Sequence, residues 1–179
     1  MVDNQSKLTL VNINKADLAK GRHVLIVESP ESRRAVSLNA NVFSIGRHPN
    51  NDLVISDSLA SRHHATVAWM RYTEGSKSDY SYWIIDGKGK RKRSRNGVFV
   101  NGVKKTLHRL TSGDVVSLGN NIKISYSYIP YSTDNSQFLN YCDRGGSNNE
   151  YQPLVRKDKS LQETVFEDTA MIEETIIKE

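Results

Sequence analysis

The sequence predicts an all-β protein, an antiparallel β-sandwich followed by a flexible C-terminal tail. Short apolar or alternating runs recur along the chain, and residues that favour turns separate them. Little sequence with helical periodicity lies between these runs, which favours a sandwich over a fold of alternating helices and strands. We expect nine strands, at residues 23–28, 34–38, 42–46, 53–55, 64–70, 80–86, 98–100, 115–118 and 122–128.

Two of these strand regions carry the clearest local signals. Residues 122–128 alternate between Ile or Tyr and Lys or Ser, so the apolar side chains share one face of a strand. Residues 98–100 run directly into Asn101-Gly102. An Asn-Gly pair accepts the positive φ angles of a tight turn, so a hairpin is expected there. The remaining runs are short apolar segments that fit buried strands.

The length of 179 residues suits one domain with additional segments. We assign residues 1–21 to an N-terminal extension, in which the apolar patch 8–11 can add a strand. Residues 22–130 form the sandwich domain. Residues 131–179 form a linker rich in Ser, Asn, Asp and Gly and then an acidic tail, in which the apolar residues from 161 onward have a weak helical spacing.

Charge is distributed unevenly along the chain. Residues 158–179 contain seven acids and two lysines, a net charge of −5. Because the whole chain has a net charge of +5, residues 1–157 carry a net charge of +10. The densest basic stretch, residues 88–105, contains eight Lys or Arg residues and no acid. A basic body with an acidic end implies an anionic partner, and the chain's own tail is one candidate.

Several features predict a cytoplasmic protein. The single cysteine, Cys142, cannot form an internal disulfide. No apolar stretch is long enough to span a membrane, so no membrane partner is expected. The first residues lack the arrangement of a secretory signal.

Three short motifs lie in predicted loops between strands. They are Gly46-Arg47, Ser61-Arg62-His63-His64 and Asn96-Gly97. Together they resemble the signature of a forkhead-associated (FHA) domain, and the resemblance covers roughly residues 22–130. It implies a sandwich of the FHA/SMAD type that binds phosphothreonine peptides in Ser/Thr kinase signalling.

The resemblance also implies roles for individual residues. Arg47 would be the main phosphate ligand, and its planar guanidinium matches two phosphate oxygens at once. Ser61 would donate its hydroxyl to the phosphate, with Arg62 as a secondary contact. Asn96 would hold the main chain of the ligand. Gly46, His64 and Gly97 would hold the loops without touching the ligand.

This chain departs from the family pattern in two places. Arg95 stands before Asn96, where the family usually has Ser or Thr, so a longer charged donor replaces a compact hydroxyl near the phosphate. The segment between Asp86 and Asn96 is longer than usual and mostly basic. Two interpretations remain open: a solvated, mobile loop, or a loop that widens the positive rim and favours acidic ligands.

We expect no catalytic residues, no metal site and no cofactor. His63 and His64 lack Cys or His partners at the spacing of a zinc site. No acidic residue is placed to form a triad with Ser61. The sequence therefore predicts a binding protein, and the resemblance implies a Thr-phosphorylated protein and a Ser/Thr kinase as partners.

The tail contains three possible phosphorylation sites, Thr164, Thr169 and Thr175, each directly after an acidic residue. A phosphorylated tail could occupy the domain's own site, because a tether raises the effective concentration into the millimolar range. The alternative is an acidic tail that only aids solubility.

Two rival functions follow from the basic loop 88–95. The first is nucleic-acid binding. The loop lacks the interleaved aromatic residues of a stacking surface and the acidic tail would compete, and both facts argue against this rival. The second is phosphate-independent assembly through the loop, a sheet edge or the tail.

Overall fold

The computed structural model describes residues 7–18, 20–74, 76–119 and 121–131, which form two six-stranded sheets around a shared core. One short helix accompanies the strands. In chain order the elements are β1 (Lys7–Leu10), α1 (Lys15–Leu18), β2 (Gly21–Glu28), β3 (Arg33–Leu38), β4 (Val42–Gly46), β5 (Leu53–Val54), β6 (Ala65–Glu74), β7 (Lys77–Asp86), β8 (Val98–Val100), β9 (Val103–Lys105), β10 (Leu107–Arg109), β11 (Val115–Ser117) and β12 (Lys123–Pro130).

The first sheet has the strand order β10-β7-β6-β4-β5, and β1 also pairs with β6. The ten residues of β6 are long enough for two successive neighbours: residues 65–68 pair with β4, and residues 70–73 pair with β1. The second sheet has the order β3-β2-β12-β11-β8-β9. The predicted antiparallel sandwich is confirmed, with one described exception: the two residues of β5 run parallel to the end of β4.

All nine predicted runs contain strands of the structure, with ends that differ by up to four residues. The apolar patch 8–11 supplies three of the four residues of β1. The nine predicted runs did not include β9 and β10, each of which has three residues that are not fully buried. A segment that short is too small to show a period. β9 is nevertheless the second strand of the hairpin expected at Asn101-Gly102.

The predicted hairpin turn at Asn101-Gly102 is confirmed. Val100 lies opposite Val103, and the two turn residues have φ angles of 52° and 80°. The Asn101 side chain fixes the turn further, because its Oδ1 accepts the Val115 N–H at 2.9 Å.

The core lies between the sheets and follows the predicted alternation in β12. Ile124 and Tyr126 are 1% and 3% exposed, whereas Lys123 is exposed and Ser125 is half-buried. Fully or almost fully buried side chains of the first sheet, such as Val67 and Tyr82, face the core from the opposite side. Burial of this apolar surface is the main stabilising term of such a domain.

A histidine is buried beside the aromatic residues of the core. His23 is 8% exposed and its Nδ1 lies 2.6 Å from the Tyr126 hydroxyl. The rings of Trp69 and Tyr82 contact it edge to face. Burial lowers the pKa of His23 from 6.5 to about 4, although the Asp17 carboxylate opposes the shift.

The predicted tail and its candidate phosphorylation sites lie outside the described residues. The same holds for most of the predicted linker, since the description ends at Tyr131. Among the described residues, no helix is long and apolar enough to cross a membrane.

Candidate functional site

Three loops meet at one end of the sandwich. The first site loop, residues 47–52, joins β4 to β5. The second site loop, residues 55–64, joins β5 to β6, and the third, residues 87–97, joins β7 to β8. Because Ala65 of β6 pairs with Asp86 of β7, the end of the second site loop lies beside the start of the third.

The first and second site loops are joined through their backbones. Arg47 N–H donates to the Ser61 carbonyl and His48 N–H to the Arg62 carbonyl, each at 3.0 Å. The buried Asn51 side chain donates to both His48 O, at 2.8 Å, and Arg62 O, at 2.6 Å. Asn51 therefore fixes the separation of the two loops.

His64 joins the second and third site loops. Its side chain is fully buried, and its Nδ1 accepts the Ser61 N–H at 3.1 Å. Because a backbone N–H can only donate, the ring hydrogen is on Nε2, which donates to the Gly97 carbonyl at 3.0 Å. His64 N–H also donates to Ile45 O at 2.7 Å. Both ring nitrogens are thus used inside the protein.

Gly46 is required by a close approach of two backbones. A Cβ atom at this position would lie 2.5 Å from the Arg62 carbonyl oxygen. Gly97 has a φ of 87°, a conformation that other residues rarely adopt. Its N–H donates to Ser94 Oγ at 2.9 Å. The two glycines predicted to hold the loops therefore occupy positions with a physical need for glycine.

The side chain of Arg47 is exposed at the edge of these loops. Its Nε donates to the Ala60 carbonyl at 3.3 Å, which orients the guanidinium. Among the described residues, no acceptor contacts its two terminal nitrogens. Four N–H groups of this side chain are therefore available to an oxygen-rich ligand.

Ser61 keeps one donor available as well. Its Oγ accepts the Arg95 N–H at 2.9 Å, while its own hydroxyl hydrogen has no acceptor within the described part of the chain. The side chains of Arg62 and Arg95 are exposed. The structure thus brings Arg47, Ser61, Arg62 and Arg95 to the same group of connected loops.

Asn96 is tied to the second site loop. Its Nδ2 donates to the Leu59 carbonyl at 2.8 Å. The amide oxygen and the second N–H of Asn96 make no hydrogen bond with another described residue. Asn96 can therefore accept from one ligand backbone group and donate to another while its position remains fixed.

The basic part of the third site loop is folded back on itself. Lys88 N–H donates to Lys92 O at 2.9 Å, and Lys92 N–H donates to Gly89 O at 3.2 Å. The buried Asp86 carboxylate accepts the Ser94 N–H at 3.0 Å and closes the base of the loop. The longer segment is therefore a compact turn with defined hydrogen bonds.

His63 is half-buried beside this turn. Thr66 Oγ1 donates to the Gly87 carbonyl at 2.7 Å, so it accepts from His63 Nε2, also at 2.7 Å. Burial lowers the pKa of His63 below 6.5, and the positive charge of Lys88 lowers it further. His63 supports the third loop from the outer face of the first sheet.

Sequence reasoning did not single out Asn51, Asp57, Asp86 or Ser94. Asp57 is buried and accepts the Leu59 N–H at 2.8 Å and the Asn121 N–H at 3.3 Å, which ties the second site loop to the other sheet. Short polar residues in turns are a weak signal for such bonds. The signal cannot identify partners that lie dozens of residues away.

The described residues contain no group of three or more His, Cys, Asp or Glu side chains that could hold a metal ion. What the three loops do present is a set of N–H and O–H donors and positive charges. Such a set suits a tetrahedral anion such as a phosphate group.

Comparison with known proteins identifies the family. Residues 43–119 match the FHA domain family. This range begins in β4 and ends after β11, so it contains all three site loops. The chain therefore carries an FHA domain, and the resemblance inferred from its motifs is confirmed. A domain of this family is a binding module.

The chain is also similar to individual proteins. The chain is 42% identical to Uncharacterized protein sll1895 of Synechocystis sp. over 106 residues. The aligned segment covers 59% of this chain and 15% of that protein. It is 45% identical over 76 residues to the ABC transporter ATP-binding/permease protein Rv1747 of Mycobacterium tuberculosis, covering 42% of this chain and 7% of that protein. The crystal structure of the Slr1951 protein from Synechocystis sp. is 33% identical, with a TM-score of 0.51 over 59% of this chain and 97% of that one. The chain thus spans a small fraction of the two curated relatives.

Proposed function

We propose that this FHA domain binds peptides phosphorylated on threonine and acts in Ser/Thr kinase signalling. The observation that carries the proposal is a set of donors without acceptors on loops that are otherwise firmly hydrogen-bonded. Arg47 offers its terminal guanidinium nitrogens and Ser61 its hydroxyl hydrogen. Arg62 and Arg95 add positive charge from exposed positions.

A phosphothreonine has the complementary chemistry. It carries a charge of about −1.5 to −2 near neutral pH and three acceptor oxygens. Each hydrogen bond to such a charged group contributes about 1.5–3 kcal/mol. The guanidinium of Arg47 can contact two phosphate oxygens at once, while the Ser61 hydroxyl is suited to the third.

The remaining contacts would be made with the ligand backbone. Asn96 has an available carbonyl oxygen and one available N–H, which suits a peptide main chain next to the phosphothreonine. The preference for threonine over serine rests on membership of the FHA family. The expected partners are a Thr-phosphorylated protein and the Ser/Thr kinase that modifies it.

The proposal describes a module that acts by binding and not by catalysis, without a cofactor. The domain limits 22–130 and a cytoplasmic location stay predictions of the sequence. Thr164, Thr169 and Thr175 stay candidate phosphorylation sites, and a phosphorylated tail stays a candidate ligand. Mass spectrometry after exposure to a partner kinase would test the tail, and the absence of phosphate on all three threonines would count against it.

Substitution of Arg47 tests the proposal. A degenerate phosphothreonine peptide library panned against the full chain supplies a ligand for titration calorimetry. We expect Arg47→Ala to weaken binding by about 2 kcal/mol or more, on the order of thirtyfold, because it removes charged hydrogen bonds to the phosphate. Arg47→Lys should recover only part of the loss, since lysine cannot contact two oxygens in the same plane.

Lys77→Ala is the matched control for this experiment. Lys77 is an exposed cation at the opposite end of β7 from the site loops, so its removal changes the net charge equally. The Lys77→Ala variant should bind the phosphothreonine peptide as tightly as the unmodified chain does. Unchanged affinity in a folded Arg47→Ala variant would contradict the phosphate assignment.

A further inference from the structure

The third site loop contains a concentration of positive charge beyond what one phosphate needs. Six of the residues from 88 to 95 are Lys or Arg, and none is acidic. All six side chains are exposed. The loop is part of the chain's departure from the usual FHA pattern, so its ligand must be argued from this structure.

The backbone of the loop is closed and oriented. Gly87 has a φ of 64°, and a Cβ atom there would lie 1.9 Å from the Lys92 carbonyl oxygen. The hydrogen bond from Lys88 N–H to Lys92 O closes the turn. The basic side chains therefore project from a defined turn, which lowers the entropic cost of binding to them.

Both ends of the loop are held by hydrogen bonds, and its last residues are bonded directly to the proposed phosphate site. At its start, the Gly87 carbonyl accepts from Thr66, which in turn accepts from His63. At its end, Arg95 N–H donates to Ser61 Oγ, the hydroxyl proposed to contact the phosphate. The basic turn, residues 87–95, is thus hydrogen-bonded to the proposed phosphate site formed by Arg47 and Ser61.

Five of the six positive charges of the turn lack an acidic partner among the described residues. Lys90 makes an interaction within the protein. Among the described residues, no carboxylate pairs with any of the other five cations, at positions 88, 91, 92, 93 and 95. The nearest acid along the chain, Asp86, is buried and accepts the Ser94 N–H. Uncompensated charges close together raise the local potential and attract an anionic ligand.

We infer that the ligand is a phosphothreonine peptide with a cluster of further negative charge, and that the basic turn binds this cluster. This inference rests on the proposed function. The cluster consists of acidic side chains or additional phosphate groups, which share the chemistry that Lys and Arg recognise.

A nucleic acid fits this surface less well than a peptide does. Residues 87–97 include no aromatic side chain on which a base could stack. The turn is also continuous with Asn96, whose available groups suit a peptide backbone. Nucleic-acid binding is therefore the competing outcome of the test below.

The experiment uses the full chain and three forms of one phosphothreonine peptide selected from the library. The flanking residues are neutral in the first form, glutamate-rich in the second and phosphoserine-rich in the third. Fluorescence anisotropy at about 50 mM salt, where screening is moderate, measures each affinity. We expect at least one charged form to bind roughly tenfold more tightly than the neutral form, because several surface charge pairs form together. The form that gains affinity identifies the source of the charge.

Two double variants locate the effect. Arg91→Glu with Arg93→Glu should abolish the gain and leave the neutral peptide's affinity within about threefold of the original, since Arg47 and Ser61 remain. Lys7→Glu with Lys77→Glu changes the net charge equally at the far end of the first sheet and should preserve the gain. If charge reversal affects folding, the double variant Arg91→Gln with Arg93→Gln replaces Arg91→Glu with Arg93→Glu. This variant removes the two charges without reversing them and should also reduce the gain in affinity for the charged peptides.

The outcomes separate this inference from the proposed function. Equal affinity of the unmodified chain for all three peptides, with Arg47-dependent binding intact, would overturn the inference alone. Failure of every phosphopeptide, in contrast, would overturn the proposed function. The inference would also be overturned if single-stranded oligonucleotide bound through Arg91 and Arg93 while no charged peptide gained affinity.

Discussion

Arg47, Ser61 and Asn96 each use only part of their hydrogen-bonding capacity within the protein. Arg47 uses Nε on Ala60, Ser61 accepts from Arg95, and Asn96 donates to Leu59. Each side chain is therefore held in place before a ligand arrives, and its other polar groups stay available. Such preorganisation reduces the entropy lost on binding.

At the residue scale, Ser61→Ala is expected to weaken phosphopeptide binding roughly tenfold, or by about 1.5 kcal/mol. The substitution removes a donor to the phosphate and the acceptor of the Arg95 N–H. Ser58→Ala is the matched control, because Ser58 is an exposed residue of the same loop. Titration calorimetry on both variants checks the prediction, and equal losses would show that the effect does not depend on the Ser61 hydroxyl.

At the element scale, the strands were accessible to sequence reasoning and the connections between loops were not. Alternation identified β12, and Asn101-Gly102 identified the hairpin, since both signals lie within a few neighbouring residues. The bonds from Asn96 to Leu59 and from Asn121 to Asp57 join residues 37 and 64 positions apart. Propensity and periodicity contain no information about such pairs. The candidate ligand-binding residues were predicted because their motifs resembled those of a family. The hydrogen bonds that position these residues are seen only in the structure.

Two glycines of the basic turn provide an element-scale prediction. Gly87 and Gly89 both have positive φ angles, but only Gly87 meets the backbone of residue 92, whereas nothing lies within 4 Å of a Cβ at Gly89. Gly89→Ala should lower the free energy of unfolding by about 1 kcal/mol through backbone strain. Gly87→Ala should cost about 2 kcal/mol more, because a steric clash adds to the strain. Urea unfolding measures both, and equal effects would contradict the closed turn.

At the scale of the whole molecule, the sandwich holds a histidine inside its core. The folded chain keeps the pKa of His23 near 4, whereas the unfolded chain has the ordinary value of 6.5. Between these values the unfolded state binds more protons, so the free energy of unfolding falls as the pH is lowered from about 6.5 to 4. The full effect is about 3 kcal/mol.

The variant His23→Gln tests this pH dependence. It should be less stable at pH 7, because packing against Trp69 and Tyr82 is lost, but its stability should decline less between pH 6.5 and 4. The pKa of His63 is also lowered, so a smaller dependence should remain. An unchanged pH dependence in His23→Gln would mean that His23 is not the titrating group.

The central claim is that the three site loops bind a phosphorylated threonine. An NMR titration of the isotope-labelled full chain, with a phosphothreonine peptide pool and the same pool after dephosphorylation, tests it most directly. We expect saturable shifts of the backbone amides of Arg47, Ser61, Arg95 and Asn96 with the phosphorylated pool alone. Identical shifts with both pools, or no change at these four amides, would contradict the account.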